Sequence, residues 1–508
     1  MLITSCAKDG NKTINTTMRF SHSAVILAFF SATADAWIPG PTNYLTKLSS
    51  TNRLSHVSAA SGALHATPPS SSAFLTPELA SAAIDAAQGT PLYVYDLEKL
   101  QKSADECLAF PNAFGLTVRY AMKSCPNKAI LQAFHKKGIH IDASSGYEVK
   151  RAISSGIPAS NISLSTQELP ANFAELADIG VKINACSLSQ LERIGKHYAN
   201  KGMKVGIRVN PGVGSGGFSS STTTFSKTNV GGPSSSFGIY FTSVDDGTVA
   251  SIVEKYGLVV ERVHTHIGSG SDPKIWQQVA LRSLSFCKAF DTVVSLNLGG
   301  GYKVARVPGE QSTNLQECGG PVSDAFRQFA EETGRELALE IEPGTYLVAM
   351  AGALVSTIQD IVETTGEDGH KFLKLDAGMT DVLRPSLYGA VHPMTLFPGS
   401  GKSEDIGGEE EDVVVVGHCC ESGDLMTPAP GEPEELGERT LRKAEIGDTL
   451  IMDGSGAYCS SMSTKHYNSF PEAPEVLLDT SGGVHVIRKQ QPLEQIYQNE
   501  VEVSESIL

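Results

Sequence analysis

Between residues 117 and 341, short runs of β-branched and apolar residues alternate with segments of helical spacing, and no other feature constrains the chain so tightly. The runs are Thr117–Met122, His140–Ala143, Ile162–Ser165, Lys182–Ala185, Lys204–Asn210, Val259–Ile267, Val293–Leu298 and Leu337–Ile341. Between them, apolar residues recur at helical intervals, as in Ala129-Ile130-Leu131 with Phe134, or Leu188, Leu191 and Ile194. Strands that alternate with helices must run parallel. Eight such units predict a closed (β/α)8 TIM barrel, preceded by a helix over Leu97–Leu108.

After Glu342-Pro343-Gly344 the pattern changes. Strand-like runs follow one another at Leu354–Ile361, Phe372–Leu375, Val413–Val416, Thr449–Met452, Glu475–Leu478 and Val484–Arg488. Acidic, glycine-rich stretches at Ser400–Glu411 and Thr427–Glu438 read as solvated loops between them. The fold class predicted is therefore α/β plus all-β. The barrel covers 96–345, and a C-terminal β-sandwich or β-barrel-like domain covers 346–508. Residues 91–95 are strand-like too and predict a strand that pairs with that second domain. The link from Pro211 to Ser236 is long, rich in Gly, Ser and Thr, and leaves the C-terminal end of a strand, where barrel active sites lie.

Composition narrows the function classes. Of 508 residues, 41% are hydrophobic and 19% charged, which excludes a disordered chain, a collagen or a multi-span membrane protein. A formal net charge of −16 argues against nucleic acid as the main partner. The nine cysteines are odd in number and form no C-x-x-C pair, so neither a disulfide framework nor a zinc site is expected. No metal is predicted.

The N-terminal region reads as an address. Met18-Arg19, the apolar run Ala24–Phe30 and Ala34-Asp35-Ala36 have the order of a secretory signal peptide. From Trp37 to Pro77 there is no Asp or Glu, while Ser and Thr abound, as in a transit peptide. Residues 1–85 are expected to be a disordered bipartite presequence leading to a plastid (chloroplast), with plain secretion as the alternative. The mature form would have no membrane partner.

Polar residues fall at the C-terminal ends of the predicted barrel strands: Lys123, Asp142, His266, Gly299-Gly300-Gly301 and Glu342. Taken singly, each is ordinarily a surface lysine, a structural histidine or a turn. Together on one rim they match the needs of a single cofactor, pyridoxal phosphate. A lysine amine can bond its aldehyde, glycine N–H groups can wrap its phosphate, a glutamate can keep its ring nitrogen protonated, and a histidine can stack on its ring.

Local motifs go further. Tyr120-Ala121-Met122-Lys123, His264-Thr265-His266-Ile267-Gly268-Ser269, Leu298-Gly299-Gly300-Gly301, Glu342-Pro343-Gly344, Asp376-Ala377-Gly378-Met379, Arg384-Pro385-Ser386-Leu387-Tyr388, Cys420-Glu421-Ser422-Gly423-Asp424 and Gly456-Ala457-Tyr458 occur in that order. The series resembles the pyridoxal-phosphate-dependent basic amino-acid decarboxylases with an alanine-racemase-like barrel, and within them the diaminopimelate-acting branch. It runs from about Pro91 to Arg488.

The resemblance implies that Lys123 is the Schiff-base lysine and that His266 stacks on the cofactor ring. Ser269 and Gly299–Gly301 would bind the phosphate, Glu342 would pair with the ring nitrogen, and Asp142, Gly344 and Tyr458 would lie beside the cofactor. Thr345, Arg384, Tyr388, Glu421 and Tyr458 would contact an amino-acid substrate. Cys420 would return a proton to the α-carbon, which suits a thiol largely protonated at neutral pH. In such enzymes Cys420 and Glu421 would reach into a partner subunit's site, so a homodimer with shared sites is implied.

An arginine at 384 suits a second substrate carboxylate, and Glu421 suits a distal ammonium. These needs fit meso-2,6-diaminopimelate, which would give L-lysine and CO2. Decarboxylation of another basic amino acid or polyamine precursor, of the ornithine or arginine type, stays open. So does a catalytically dead regulatory homologue, although Lys123 and Cys420 are both retained. One departure stands out. The family has Arg after Glu-Pro-Gly, and this chain has Thr345. Lys227 and Arg208 are the expected substitutes for the missing cation. Ser236 likewise stands where the family has Lys before Phe237-Gly238-Ile239.

Overall fold

A computed structural model of the chain describes residues 74–212, 231–266, 268, 270–399 and 408–507. The strands of its first part are β1 (Leu92–Asp96), β2 (Leu116–Ala121), β3 (His140–Ala143), β4 (Ile162–Ser165), β5 (Lys182–Ala185), β6 (Lys204–Asn210), β7 (Ile239–Tyr240), β8 (Val259–His264), β9 (Ser295–Asn297) and β10 (Ala338–Ile341). Eight of them run parallel in the order β5-β4-β3-β2-β10-β9-β8-β6, and pairing of β5 with β6 closes the barrel. The helices between strands start where a side chain can accept an otherwise orphaned N–H. Asp96 does this for the helix Leu97–Leu108, Ser145 for Gly146–Ser154, Ser187 for Leu188–His197 and Asp272 for Pro273–Cys287.

Alternation along each strand sends one residue toward the helices and the next toward the barrel axis. Ile141, Leu164, Ile183, Ile207, Val263 and Leu296 are buried in the large hydrophobic core. The axis is different. Barrel interiors are ordinarily filled by Val, Ile and Leu, but here Arg119, Arg262 and Glu340 are buried together. Arg119 Nε lies 2.7 Å from Glu340 Oε2, and Arg262 Nε lies 3.7 Å from Glu340 Oε1. Arg262 Nη1 reaches across the barrel to donate to Ser163 Oγ and Asn184 Oδ1, each at 3.2 Å.

The second part contains β11 (Gly352–Glu363), β12 (Lys371–Leu375), β13 (Met394–Phe397), β14 (Glu410–Val416), β15 (Pro428–Ala429), β16 (Glu432–Leu436), β17 (Arg439–Arg442), β18 (Thr449–Met452), β19 (Glu475–Leu478) and β20 (Val484–Arg488). Nine strands make one sheet, ordered β17-β14-β12-β11-β1-β19-β20, with β18 on β11 and β13 on β18. The expected early strand is there: β1 sits between β11, antiparallel, and β19, parallel.

Three expectations need correction. The acidic stretch Thr427–Glu438 is not all loop, because β15 and β16 pair antiparallel within it around Gly431, whose φ of +82° makes the turn. Strands β13 and β17 were not anticipated; Arg-Thr-Leu-Arg has too few apolar residues to read as a strand. Finally, the boundary of a disordered leader at 85 runs through a helix, Pro77–Ala87, capped by Thr76. Ala80, Ala83, Ile84 and Ala87 follow the i, i+3, i+4, i+7 pattern of an amphipathic helix. With Leu75 they pack on Leu92, Val94, Val355, Ile451 and Val476. The chain therefore joins the fold by about Phe74, and the rest of the expected presequence lies outside the described residues. Among the described residues, no helix is long and apolar enough to cross a membrane.

Candidate active site

The barrel rim brings the expected polar residues together around one carboxylate. Glu342, just past β10, is buried. Its Oε1 accepts from Asn297 Nδ2 at 2.6 Å, and its Oε2 lies 3.2 Å from His264 Nε2, a charge contact outside hydrogen-bond alignment. The His264 ring is held from its other side by Ser165, whose Oγ lies 3.2 Å from Nδ1. Burial alone would push the Glu342 carboxyl up, but the contact with His264 and the Lys123 charge hold it well below the usual carboxylate range. Asp142, at the end of β3, behaves oppositely. Burial and the neighbouring Glu342 charge push its pKa well up, and its Oδ1 has no hydrogen-bond partner among the described residues. The two carboxyls are thus driven in opposite directions.

The glycine turn is tied to the same carboxylate. Asn297 Oδ1 accepts the Gly299 N–H at 2.8 Å, and the Glu342 N–H donates to Gly299 O at 2.8 Å. A Cβ on Gly300 would stand 2.2 Å from Glu342 O, so only glycine lets the two segments pass. His266 packs against Gly299, and its Nδ1 accepts the Gly268 N–H at 3.0 Å. Burial, then the charges of Arg208 and Lys123, keep this imidazole neutral well below its ordinary pKa.

Lys123 lies in a single 3₁₀ turn, Met122–Ser124, directly after β2. Its Nζ is 3.5 Å from Ser144 Oγ and opens into a depression of about 350 Å³ that Glu148, Arg151 and Tyr458 also line. Burial works to lower its pKa, but the neighbouring acidic groups Tyr458, Asp142 and Glu342 prevail and raise it. Tyr458 comes from the β domain. Its N–H donates to Ser124 O at 2.9 Å, and Ser461 Oγ donates to the same oxygen at 3.0 Å, so the two domains are pinned at the lysine turn. Close packing fixes this crossing, since a Cβ on Gly456 would meet Val348 O at 1.8 Å. Gly344 leaves similar room: a Cβ there would approach Ala121 Cβ at 3.2 Å and the Tyr458 hydroxyl at 3.3 Å. Thr345 begins the short helix Thr345–Val348 and is half-buried.

Arg384 is buried at the start of the helix Arg384–Tyr388, with Nε 3.4 Å from His392 Nε2, and Tyr388 is half-buried at its end. Cys420 and Glu421 are elsewhere. They line an open groove of about 870 Å³ in the β domain, larger than the depression at Lys123 and separate from it. Chemistry, not size, marks the candidate site, because the groove contains none of the rim residues. Cys420 is exposed, its N–H donates to Asn468 Oδ1 at 2.9 Å, and Glu421 accepts from the Tyr467 hydroxyl at 3.4 Å and the Gly423 N–H at 3.2 Å. Asp424 anchors the loop by accepting the N–H groups of Cys419 at 2.8 Å and Met379 at 2.6 Å.

Of the remaining expected residues, Ser269 and Lys227 lie outside the described residues. Arg208 is at the rim, its guanidinium 5.0 Å over the Phe237 ring, and its charge acts on Lys123, Asp142 and His266. Sequence reasoning missed Asn297 and the orienting role of His264. Their signal was positional: each sits two residues before a rim residue on the same strand face.

The residues present fit pyridoxal phosphate. A reachable amine, a buried carboxylate kept ionised for a ring nitrogen, a neutral imidazole and a glycine turn converge, and Asp142 leaves a buried acceptor unsatisfied.

Comparison with known proteins bears on the same residues. Residues 96–349 match the family model described as pyridoxal-dependent decarboxylase, pyridoxal binding domain. The diaminopimelate decarboxylase of Escherichia coli (strain K12) is 31% identical over 419 residues, covering 81% of this chain and 94% of the relative. That of Streptomyces coelicolor is 32% identical over 427 residues, covering 83% and 91%. A crystal structure of a diaminopimelate decarboxylase superposes with a TM-score of 0.73 at 30% identity, over 81% of this chain and 93% of that one.

Within the segment that follows β12, Asp381 accepts from the Gly378 N–H at 3.1 Å and the Thr380 hydroxyl at 3.2 Å. Burial nevertheless pushes this carboxyl up to about 7. The folded chain thus keeps a proton that the unfolded chain releases near pH 4, so stability falls as pH rises from about 4 to 7. Asp381→Asn removes this slope. Relative to wild type, the variant should gain up to about 4 kcal/mol between pH 4 and 7, read as diverging urea midpoints; parallel midpoints would contradict the assignment.

Proposed function

The chain belongs to the diaminopimelate decarboxylase family of pyridoxal-dependent decarboxylases, and on that premise we propose that it converts meso-2,6-diaminopimelate to L-lysine and CO2. The single observation that carries the reading is the convergence of Lys123, His266, the Gly299–Gly301 turn and an ionised Glu342 at one barrel rim.

Pyridoxal phosphate, when bound, supplies the electron sink that accepts the pair left behind as CO2 departs. The protein's residues do the rest. Lys123 Nζ is the amine that would hold the cofactor covalently. Glu342, kept ionised by His264, Asn297 and Lys123, holds a proton on the ring nitrogen and so stabilises developing negative charge. His266, neutral, offers a flat face without adding a competing positive charge. The glycine N–H groups cradle the phosphate. Arg384 meets the substrate's second carboxylate, with Tyr388 and Tyr458 beside it, and Thr345 offers one hydrogen bond. Asp142 offers a buried oxygen at the same rim.

Proton return falls to Cys420, with Glu421 for the distal ammonium. Both lie in the β-domain groove and not at the Lys123 depression of the same chain, which supports a homodimer in which each chain lends this loop to the other's site. Their exposure is what such a role requires.

Purified holoprotein offered meso-diaminopimelate, ornithine and arginine in separate reactions should release L-lysine from the first at least about 100-fold faster than amines from the others; preferential turnover of ornithine or arginine would refute the substrate reading. The shared site is tested by mixing two inactive variants, Lys123→Ala and Cys420→Ala. Subunit exchange should restore about a quarter of wild-type activity, since half the dimers are mixed and each then has one intact site. No recovery after demonstrated exchange would show that each chain's site is self-contained.

A further inference from the structure

The family's arginine after Glu-Pro-Gly is missing at Thr345, and the structure holds an unexpected guanidinium near the residue that would have worked with it. Arg306 follows the Gly299–Gly301 turn and is only 8% exposed. Its Nε donates to Gly454 O at 3.1 Å, in the β-domain segment that leads to Tyr458. Its Nη2 is buried and has no hydrogen-bond partner among the described residues. The Glu310 carboxylate close by accepts the backbone N–H of Arg306 at 2.7 Å, and no ion pair to the Arg306 side chain forms among the described residues.

The second guanidinium is that of Arg384. It is 4% exposed and donates through Nε to His392 Nε2 at 3.4 Å. A carbonyl can only accept, so the 3.1 Å contact between His392 Nδ1 and Asp453 O places the ring proton on Nδ1 and leaves Nε2 as an acceptor. Burial, then the charges of Arg306 and Arg384, keep His392 neutral. Burial and the Arg384 charge also push the Arg306 guanidinium down to about 9, so the two cations feel each other directly. Arg306 is held at Gly454 O and His392 at the adjacent Asp453 O, so both arms meet one segment of the β domain, and a buried guanidinium nitrogen left without an acceptor is costly. One unsatisfied Nη2 marks where an oxyanion would be held.

We propose that Arg306 is the second arm of a two-arginine clamp which, with Arg384, binds the carboxylate that the substrate retains in L-lysine, and that it takes over the task of the arginine absent at Thr345. This rests on the diaminopimelate reading above. Arg306 arises from a different segment of the rim than residue 345, so the carboxylate site is rebuilt from a new direction while its chemistry stays the same. A cofactor phosphate is also an oxyanion, and the test must separate the two.

The holoenzyme is titrated with L-lysine and with cadaverine, which keeps two ammonium groups but has no carboxylate. Arg306→Gln should weaken L-lysine binding about 10- to 100-fold, the loss expected for one charge-assisted hydrogen bond. Cadaverine binding and pyridoxal phosphate affinity should change less than about twofold. Adding Thr345→Arg to Arg306→Gln should restore most of the L-lysine affinity. Arg306→Lys, which keeps the charge, guards against misfolding of the glutamine variant and should lose part of the affinity for L-lysine and none for cadaverine. Equal weakening of both ligands, or loss of pyridoxal phosphate with L-lysine binding intact, would overturn the clamp. Failure of wild type to decarboxylate diaminopimelate would instead refute the underlying reading, which these titrations do not depend on.

Discussion

A single buried carboxylate that must stay ionised organises this protein. Glu342 sits where burial opposes its charge, and an isolated buried carboxylate would simply take up a proton. Three neighbours prevent that. Asn297 donates to one oxygen, His264 lies against the other, and the Lys123 ammonium adds its potential from the end of the neighbouring strand β2. The arrangement also fixes geometry. Asn297 spans from Glu342 to the Gly299 N–H, so the charge and the glycine turn move as one unit. Beneath them the barrel axis is filled by Arg119, Arg262 and Glu340 instead of aliphatic side chains. Breaking such a buried network typically costs about 3–5 kcal/mol, whereas a well-packed apolar replacement often costs nothing. Stability alone therefore does not account for it. A fixed net of charges below the rim gives Glu342 a rigid, polar floor.

The β domain completes what the barrel begins. Tyr458 and Ser461 both bond Ser124 O, next to Lys123, so the lysine turn is held from two sides. Arg384 and His392 come from the same domain, while Arg306 comes from the barrel and reaches Gly454 across the junction. The residues proposed to meet the substrate are thus drawn from both domains. The Cys420 loop lines its own groove and is braced by Asp424, which accepts the N–H groups of Cys419 and Met379.

Much of this was legible in the sequence, for physical reasons. Parallel strands buried on both sides leave strong apolar runs, and four barrel strands, β3 to β6, have the bounds read from those runs. Where polar rim residues begin, the reading overran: β8 stops at His264, and β9 spans only Ser295–Asn297. Lys123, His266 and Glu342 were found because they lie at strand ends, a position with meaning in a barrel. Asn297 and Arg306 were not. An asparagine inside a strand and an arginine in a rim loop have no local pattern, and their roles come only from what the fold sets beside them. Arg119, Arg262 and Glu340 were missed because inward positions of a barrel are expected to be apolar. The helix Pro77–Ala87 was hidden by the leader-like composition just before it, although its apolar spacing was present.

One measurement addresses directly whether Glu342 is the charge that would hold the ring nitrogen protonated. Glu342→Gln keeps the size and the hydrogen bond from Asn297 but removes the charge. With pyridoxal phosphate content matched to wild type, its kcat for meso-diaminopimelate should fall by about 100- to 1,000-fold, the loss typical when one preorganised electrostatic group is removed. A kcat within a few-fold of wild type at equal cofactor content would contradict the central claim.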